Sequence, residues 1–320
     1  MTFANRLIPM AAAASILLLS GAALAETKVV VTSKPIHALV ASVMVGIGTP
    51  ELLVDGTASP HSYAMKPSDA QKVHSADVFF RVAEELEPFT AKLVAGLPRF
   101  VRVVSLIEAP GLKRLPRREG GAFEVHKEHG HKHAHGHDHD GDADDEHAAT
   151  DPHVWLDPEN AKTMVGHIAD VLATLMPQKA TTLRANAEAE IGRISAMSDE
   201  LGRELAPVAG RPFIVYHDAY QYFERRYGLT AAGSVTVSPD LPPSGKRLQE
   251  LRRKIASSGA VCVFAEPYFS PRVTDVLVEG TNARIGTLDP EGTTLTPGPG
   301  LYHTLMRNLA RDFKTCLAGT

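Results

Sequence analysis

The sequence predicts an α/β protein made of two lobes, each a parallel sheet covered by helices. Short apolar runs rich in β-branched residues alternate with helical patterns, the alternation starts again after residue 206, and a long helical stretch separates the two series. A chain of 320 residues exceeds what one small core organises. With 44 % apolar residues and two cysteines, it is not collagen-like, disulfide-framework or wholly disordered.

Each series supplies strands and helices in alternation. In the first lobe the predicted strands are 29–32, 76–82 and 100–106, and the predicted helices are 35–45 and 67–74. In the second lobe the predicted strands are 212–216, 232–237, 260–265 and 284–288, and the predicted helices are 219–227, 244–258, 271–283 and 301–317. The predicted lobes therefore span 26–177 and 207–320.

Two helices are predicted between the strand series. Asp157 before Pro158 supplies a capping carboxylate followed by a proline in the first turn, and the pattern runs to Met176. The stretch 178–206 is rich in Ala, Glu, Arg and Leu, with apolar residues such as Leu183 at helical spacing. About 28 residues of helix would span about 40 Å, so this stretch is predicted to link the lobes as a stiff connector.

The first 25 residues have the features of a secretory signal. Arg6 gives a short positive region, 10–19 is apolar, and 23–25 offers a small-residue cleavage pattern. The sequence therefore predicts a cleaved leader and an exported chain that is not embedded in a membrane. The net charge of -4 gives no argument for nucleic acid as a partner, so function is expected in a local site.

Export bears on the two cysteines. Cys262 lies in an apolar strand-like run and Cys316 near the end of an amphipathic helical stretch, both at core-facing positions of the second lobe. In an oxidising compartment such residues usually pair, so a Cys262–Cys316 disulfide is predicted. Two buried thiols are the alternative.

Fifteen histidines are the compositional anomaly of the chain, and they fall into three groups. Eight lie in the stretch 126–147, which has almost no apolar residues and is predicted to be a disordered acidic loop that binds metal weakly. These eight are His126, His129, His131, His133, His135, His137, His139 and His147. A polar insertion without a metal role is the alternative.

The other seven histidines differ in context. Four fall within helical stretches and are expected to be packed or surface residues: His37, His74, His167 and His303. Three lie at loop or strand-to-helix junctions, where ligands bind in α/β sheets: His61, His153 and His217. Their separations match no short metal motif, so spacing alone predicts a site only weakly.

The sequences around these three histidines resemble a known family. The segments PHSYAMKPSDA, DPHVWLDPENA and FIVYHDAYQYFERRYGL are similar to the metal-ligand segments of the zinc-specific substrate-binding proteins of bacterial ABC importers. CVFAEPYFSP and RIGTLDPEG resemble the second lobe of that family, so the likeness covers nearly the whole mature chain. It implies two α/β lobes bridged by one rigid helix, with Zn²⁺ held in the cleft between them.

The resemblance also implies a role. The chain is expected to be a periplasmic monomer without enzyme activity that captures Zn²⁺ and delivers it to a membrane permease driven by a cytoplasmic ATPase. His61 and His153 would come from the first lobe and His217 from the second. Similar manganese-specific proteins tend to carry a carboxylate at the position of His217, and three imidazoles suit Zn²⁺ better than Mn²⁺.

The fourth ligand stays open. Some zinc members carry a glutamate directly before the first histidine, where this chain has Pro60. Asp289 matches an aspartate that coordinates metal in manganese-binding relatives, and a water molecule or a turn role for Asp289 are the alternatives. Glu266 matches a family motif and is expected to support the site or the lobe without binding the metal.

Rival functions follow from the same residues. A manganese or iron importer component would share the fold. A secreted zinc hydrolase also uses three histidines and an open position, but the sequence has no HExxH or paired-carboxylate motif. In an adhesin or an extracellular metal buffer, the stretch 126–147 would be the main site.

Overall fold

Two parallel sheets with helices packed on their faces form the described part of the chain, which covers residues 27–118, 122–123, 149–236 and 243–319 of a computed structural model. The predicted leader 1–25 and the histidine-rich stretch 126–147 lie outside the described residues. The predicted fold class, two parallel-sheet lobes joined by a long helix, is confirmed.

The first lobe has a sheet in the order β2-β1-β3-β4. Its strands are β1 (Val29–Val31), β2 (Glu51–Leu52), β3 (Val78–Arg81) and β4 (Arg102–Ser105). Its helices are α1 (Lys34–Val43), α2 (Pro67–His74), α3 (Thr90–Ala95) and α4 (Pro158–Leu175). Strand β1 consists of three valines that are all buried, as expected for a central strand covered by helices on both faces.

The second lobe repeats the arrangement with the order β6-β5-β7-β8. Its strands are β5 (Pro212–His217), β6 (Thr230–Thr236), β7 (Cys262–Ala265) and β8 (Arg284–Thr287). Its helices are α6 (Gln221–Tyr227), α7 (Gly245–Ser258), α8 (Pro271–Val278) and α9 (Leu301–Ala318). Helix α8 ends earlier than its apolar pattern predicts, because Glu279 leaves the helical conformation with a ψ of 123° and Gly280 adopts a φ of 71°.

A single helix, α5 (Ala180–Leu205), links the lobes. Its 26 residues extend about 39 Å at 1.5 Å per residue. It packs against α1 and α4 of the first lobe and against α6 and α9 of the second. Its buried face includes Leu183, Ile194 and Leu201, which belong to a continuous apolar core shared by both lobes. The two lobes are therefore packed together along one side.

Cys262 of β7 and Cys316 of α9 form the predicted disulfide. The neighbouring strand β8 has a glycine beside it, Gly286, where a Cβ would lie 2.6 Å from a ring carbon of Phe264 and 3.2 Å from Cβ of Cys316. A larger side chain would collide there, so the glycine allows β8 to approach the disulfide and the aromatic core.

No helix among the described residues is both long and apolar enough to cross a membrane. The four histidines expected in helices lie in α1, α2, α4 and α9. Of these, His37 is buried, with Nε2 3.0 Å from the carbonyl oxygen of Pro50, and His74 is exposed. His167 and His303 are partly buried.

Candidate metal centre

Three imidazoles meet where the two lobes face each other. Nε2 of His153 lies 3.2 Å from Nε2 of His61 and 3.3 Å from Nε2 of His217. One nitrogen from each ring lies within 4.8 Å of the others. Among the histidine, cysteine and acidic side chains of the described residues, these three form the cluster that could hold a metal ion. The structure thus brings together three residues that are 92 and 64 positions apart in sequence.

Local sequence explains where each histidine lies. His217 is the last residue of β5, whose residues 213–216 are buried, so it projects at the carboxyl edge of the second sheet. His61 lies in the loop between β2 and α2, where its backbone N–H donates to Ser59 Oγ at 3.3 Å. His153 precedes the short 3₁₀ turn Val154–Leu156 that leads into α4.

The segment that carries His153 is held by the second lobe. The Tyr222 hydroxyl donates to the carbonyl oxygen of Asp151 at 2.9 Å, and the Trp155 indole donates to the carbonyl oxygen of Pro290 at 3.0 Å. Tyr302 donates to the carbonyl oxygen of Trp155 at 2.9 Å. These side-chain to backbone bonds fix the position of His153 relative to β5.

Two of the three imidazoles have a carboxylate partner behind them. Nδ1 of His153 lies 2.8 Å from Oδ1 of Asp151, and Nδ1 of His217 lies 2.8 Å from both oxygens of Glu266. The Tyr220 hydroxyl donates to Glu266 at 2.9 Å and so fixes that carboxylate in turn. When the Nδ1–H of each ring donates a hydrogen bond to its carboxylate, Nε2 carries no proton. Its lone pair is then available to a metal ion.

Burial controls the protonation of this group. It lowers the pKa of His61 and of His153 well below the usual 6.5, and the charges of the neighbouring rings act in the same direction. Burial also lowers the pKa of His217, but the charge and hydrogen bond of Glu266, together with the charges of Asp218 and Asp151, outweigh it, so the pKa is raised overall. Burial raises the pKa of Asp151 to about 7.

Asp289 lies outside the close group formed by the three imidazoles. Its Oδ2 accepts from the N–H and the hydroxyl of Thr293 at 2.7 and 2.8 Å, and its Oδ1 accepts from the N–H of Glu291 at 3.1 Å. The carboxylate therefore organises its own loop. Its predicted role as the fourth ligand stays a prediction, as does the weak metal loop, whose eight histidines lie outside the described residues.

Sequence reasoning did not single out Asp151 or the ion pairs that join the lobes around the site. Arg118 binds Asp218 and Glu224, and Arg226 binds Asp157. The one available signal for Asp151 was its place two residues before His153. The partners of Arg118 lie 100 and 106 residues away, and no local pattern marks them.

The chain is similar to known proteins over most of its length. A family model described as zinc-uptake complex component A, periplasmic, matches residues 29–316. The high-affinity zinc uptake system protein ZnuA of Brucella suis is 46 % identical over 306 residues, which cover 91 % of each chain. The protein of the same name from Paracoccus denitrificans is 38 % identical over 302 residues, covering 92 % of this chain and 93 % of that protein.

Among solved structures, the periplasmic zinc-binding protein TroA of Treponema pallidum has the same fold. Its TM-score is 0.75 at 22 % identity, and the match covers 91 % of this chain and 99 % of that one. The family match over almost the whole length, together with relatives at 46 and 38 % identity, leads to one conclusion. The chain belongs to the family of periplasmic zinc-uptake complex component A.

Proposed function

We propose that this chain captures Zn²⁺ in the periplasm and delivers it to an ABC-type permease driven by a cytoplasmic ATPase. The observation that carries the proposal is the convergence of three imidazole nitrogens, from both lobes, within 4.8 Å. Membership of a family of importer components supports the transport role. The proposed ligands are His61, His153 and His217.

Zinc is the proposed cargo because of the donor set. Three neutral imidazoles suit a small tetrahedral Zn²⁺, whereas Mn²⁺ prefers more oxygen ligands. The carboxylates of Asp151 and Glu266 support this choice. They contact Nδ1 of two imidazoles, so the atoms that face one another across the site are ring nitrogens. Asp289 or a water molecule is proposed for the fourth position.

The same carboxylates argue against a zinc hydrolase. A hydrolase needs a general base free to act on a metal-bound water. Asp151 and Glu266 are both buried and occupied by ring N–H groups, so neither is free for that task. Because the ligands come from two lobes, they suit a clasp around a transported ion, and we propose that the chain has no enzyme activity.

The remaining parts of the proposal concern processing and assembly. We propose that residues 1–25 are removed as a leader and that the mature protein is a monomer. Its lobes would span 26–177 and 207–320 on either side of the linking helix 178–206. The histidines of 126–147 would bind further metal weakly. The mass of the protein purified from a periplasmic extract, together with its N-terminal sequence, tests cleavage and oligomeric state.

The decisive experiment is a metal titration of the chelator-stripped mature protein. Zinc and manganese are offered in competition, with H61A, H153A and H217A measured alongside and H74A as the control, because His74 is exposed at the end of α2. We expect one tight zinc in wild type and H74A, and a large loss of affinity in the other three variants. A preference for manganese, or wild-type binding in all variants, would overturn the proposal.

Deletion of residues 126–147 separates the importer from a metal buffer. If the three imidazoles are the main site, one tight zinc remains after the deletion. If the histidine-rich stretch is the main site, tight binding disappears.

A further inference from the structure

A short antiparallel ribbon leads into and out of the histidine-rich insertion. The N–H of Arg117 donates to the carbonyl oxygen of Ala149 at 2.8 Å, the N–H of Asp151 donates to that of Leu115 at 2.8 Å, and Pro116 bridges Thr150. One arm of the ribbon ends in Asp151, two residues before the proposed ligand His153. The other arm ends in Arg118.

Arg118 reaches from this first-lobe segment to the second lobe. Its Nε lies 3.0 Å from both oxygens of Asp218, and Nη2 also contacts Asp218. Nη1 and Nη2 donate to the two oxygens of Glu224 at 2.8 Å each. The ring of Phe123 covers the guanidinium, with its centroid 4.3 Å from Cζ. The guanidinium thus contacts two carboxylates and one aromatic ring of the protein.

The two carboxylates belong to the turn and the helix that follow His217 in sequence. Asp218 directly follows His217, in the tight turn where the N–H of Ala219 donates to the carbonyl oxygen of His217 at 2.9 Å. Glu224 lies in α6, and its Oε2 also accepts from the N–H of Ala231 in β6 at 3.0 Å. The Asp218 and Glu224 side chains are only 8 % and 5 % exposed. Without Arg118, two buried carboxylates would face each other with no cation between them.

We propose that Arg118 is a positioning residue that holds the His217 turn in place from the opposite lobe and thereby sets how long bound Zn²⁺ is retained. Its planar fork is suited to this task, because its contacts with both oxygens of Asp218 and both oxygens of Glu224 fix the orientation of two carboxylates at once. The inference rests on the proposed zinc capture and adds a residue that does not touch the metal.

The test compares Arg118 with a matched ion pair. Arg226 also joins the lobes, with Nε 2.8 Å from Oδ1 of Asp157, but its partner caps α4 and does not adjoin a proposed ligand. The full mature protein is prepared as wild type, R118Q, R118K and R226Q. The measurements are the rate of Zn²⁺ loss to excess chelator, the visible spectrum of the Co²⁺-loaded site and the thermal unfolding midpoint.

We expect R118Q to lose Zn²⁺ at least tenfold faster than wild type and to shift the Co²⁺ bands. R118K keeps the charge without the fork, so we expect intermediate loss and a smaller shift. R226Q should lower the unfolding midpoint while leaving the rate within twofold of wild type and the spectrum unchanged.

A rate and spectrum in R118Q like those of wild type would overturn the inference, as would an equal acceleration in R226Q. If R118Q does not fold, R118K decides: wild-type retention and spectrum in R118K overturn the positioning role. Failure of the wild type to bind Zn²⁺ tightly would instead overturn the proposed function. The two failures are therefore distinguishable.

Discussion

Glu266 holds His217 from behind, with both carboxylate oxygens 2.8 Å from Nδ1 of the ring. The glutamate is 3 % exposed and lies directly after β7, the neighbour of the strand that ends at His217. Adjacent parallel strands thus supply a proposed ligand and the group that orients it. We therefore expect a substitution of Glu266 to change zinc affinity although Glu266 is not a proposed ligand.

Replacing Glu266 by glutamine should raise the zinc dissociation constant by about 10- to 100-fold, because the imidazole loses its charged acceptor. Competition with a chelator of known affinity measures the change. Glu190→Gln is the matched control. Glu190 is a buried residue of the linking helix, and its Oε1 lies 2.9 Å from Nε2 of His303 in α9. Equal affinity in E266Q and wild type would contradict the prediction.

The pH dependence of zinc affinity should follow His217. Its pKa is raised above 6.5, while the pKa values of His61 and His153 lie well below it. As pH falls through the raised value, a proton occupies His217 and zinc must displace it, so log Kd should rise by about one for each pH unit. The other two rings stay neutral to lower pH. Zinc titrations between about pH 8 and 5.5 measure this slope.

In E266Q the same slope should begin at lower pH, because burial still lowers the pKa of His217 while the charge of Glu266 that opposes it is gone. An unchanged onset in E266Q would show that another group competes with the metal.

Glu87 should make the protein less stable above neutral pH. It accepts from the N–H groups of Val82 and Ala83 at 2.9 and 3.1 Å and from the Thr32 hydroxyl, yet burial raises its pKa from 4.5 to about 7. A raised carboxyl pKa means that the native state binds the proton more tightly than the unfolded chain does. The stabilisation that this proton gives is complete below pH 4.5 and is lost as pH rises to about 7. The free energy of unfolding falls by about 3 kcal/mol over that range.

Glu87→Gln removes this titration, because the amide oxygen can still accept from the backbone and the amide nitrogen can donate to Thr32. We expect E87Q to unfold at a higher temperature than wild type at pH 8 and to show a flatter stability profile between about pH 4.5 and 7. A wild-type profile in E87Q would contradict the assignment.

Loss of the disulfide should destabilise the second lobe. Cys262 and Cys316 close a loop of 54 residues, which corresponds to about 4 kcal/mol in the chain-entropy model. The double variant C262S/C316S should therefore unfold at a markedly lower temperature than the oxidised wild type. Wild type treated with reductant serves as the control and should approach the variant. Equal midpoints in all three samples would contradict the prediction.

Much of this architecture could be read from residue patterns, and the exceptions have physical reasons. The buried strand that ends at His217 follows from an apolar run before a helix, and parallel sheets gather such ends at one edge. The short strand β2 and the six-residue helix α3 had no predicted bounds, because two to six residues carry too little periodicity.

Contacts between distant segments were beyond a single sequence. The Arg118 fork joins residues about a hundred positions apart, and the Trp155 indole bonds a carbonyl oxygen 135 positions away. Both depend on tertiary packing, for which neither composition nor spacing carries a signal.

The three imidazoles come from different lobes, so a bound ion would tie β5 to the loops of the first lobe as a removable cross-link. The linking helix α5 joins the lobes along one side, and the ion would add metal bonds to the Arg118, Trp155 and Tyr302 contacts that already cross between the lobes near the site. Loaded and empty protein would then differ in connectivity as well as in charge. A permease that pulled the lobes apart would do mechanical work against the metal bonds. The lobes would then separate only as those bonds break and the ion is released.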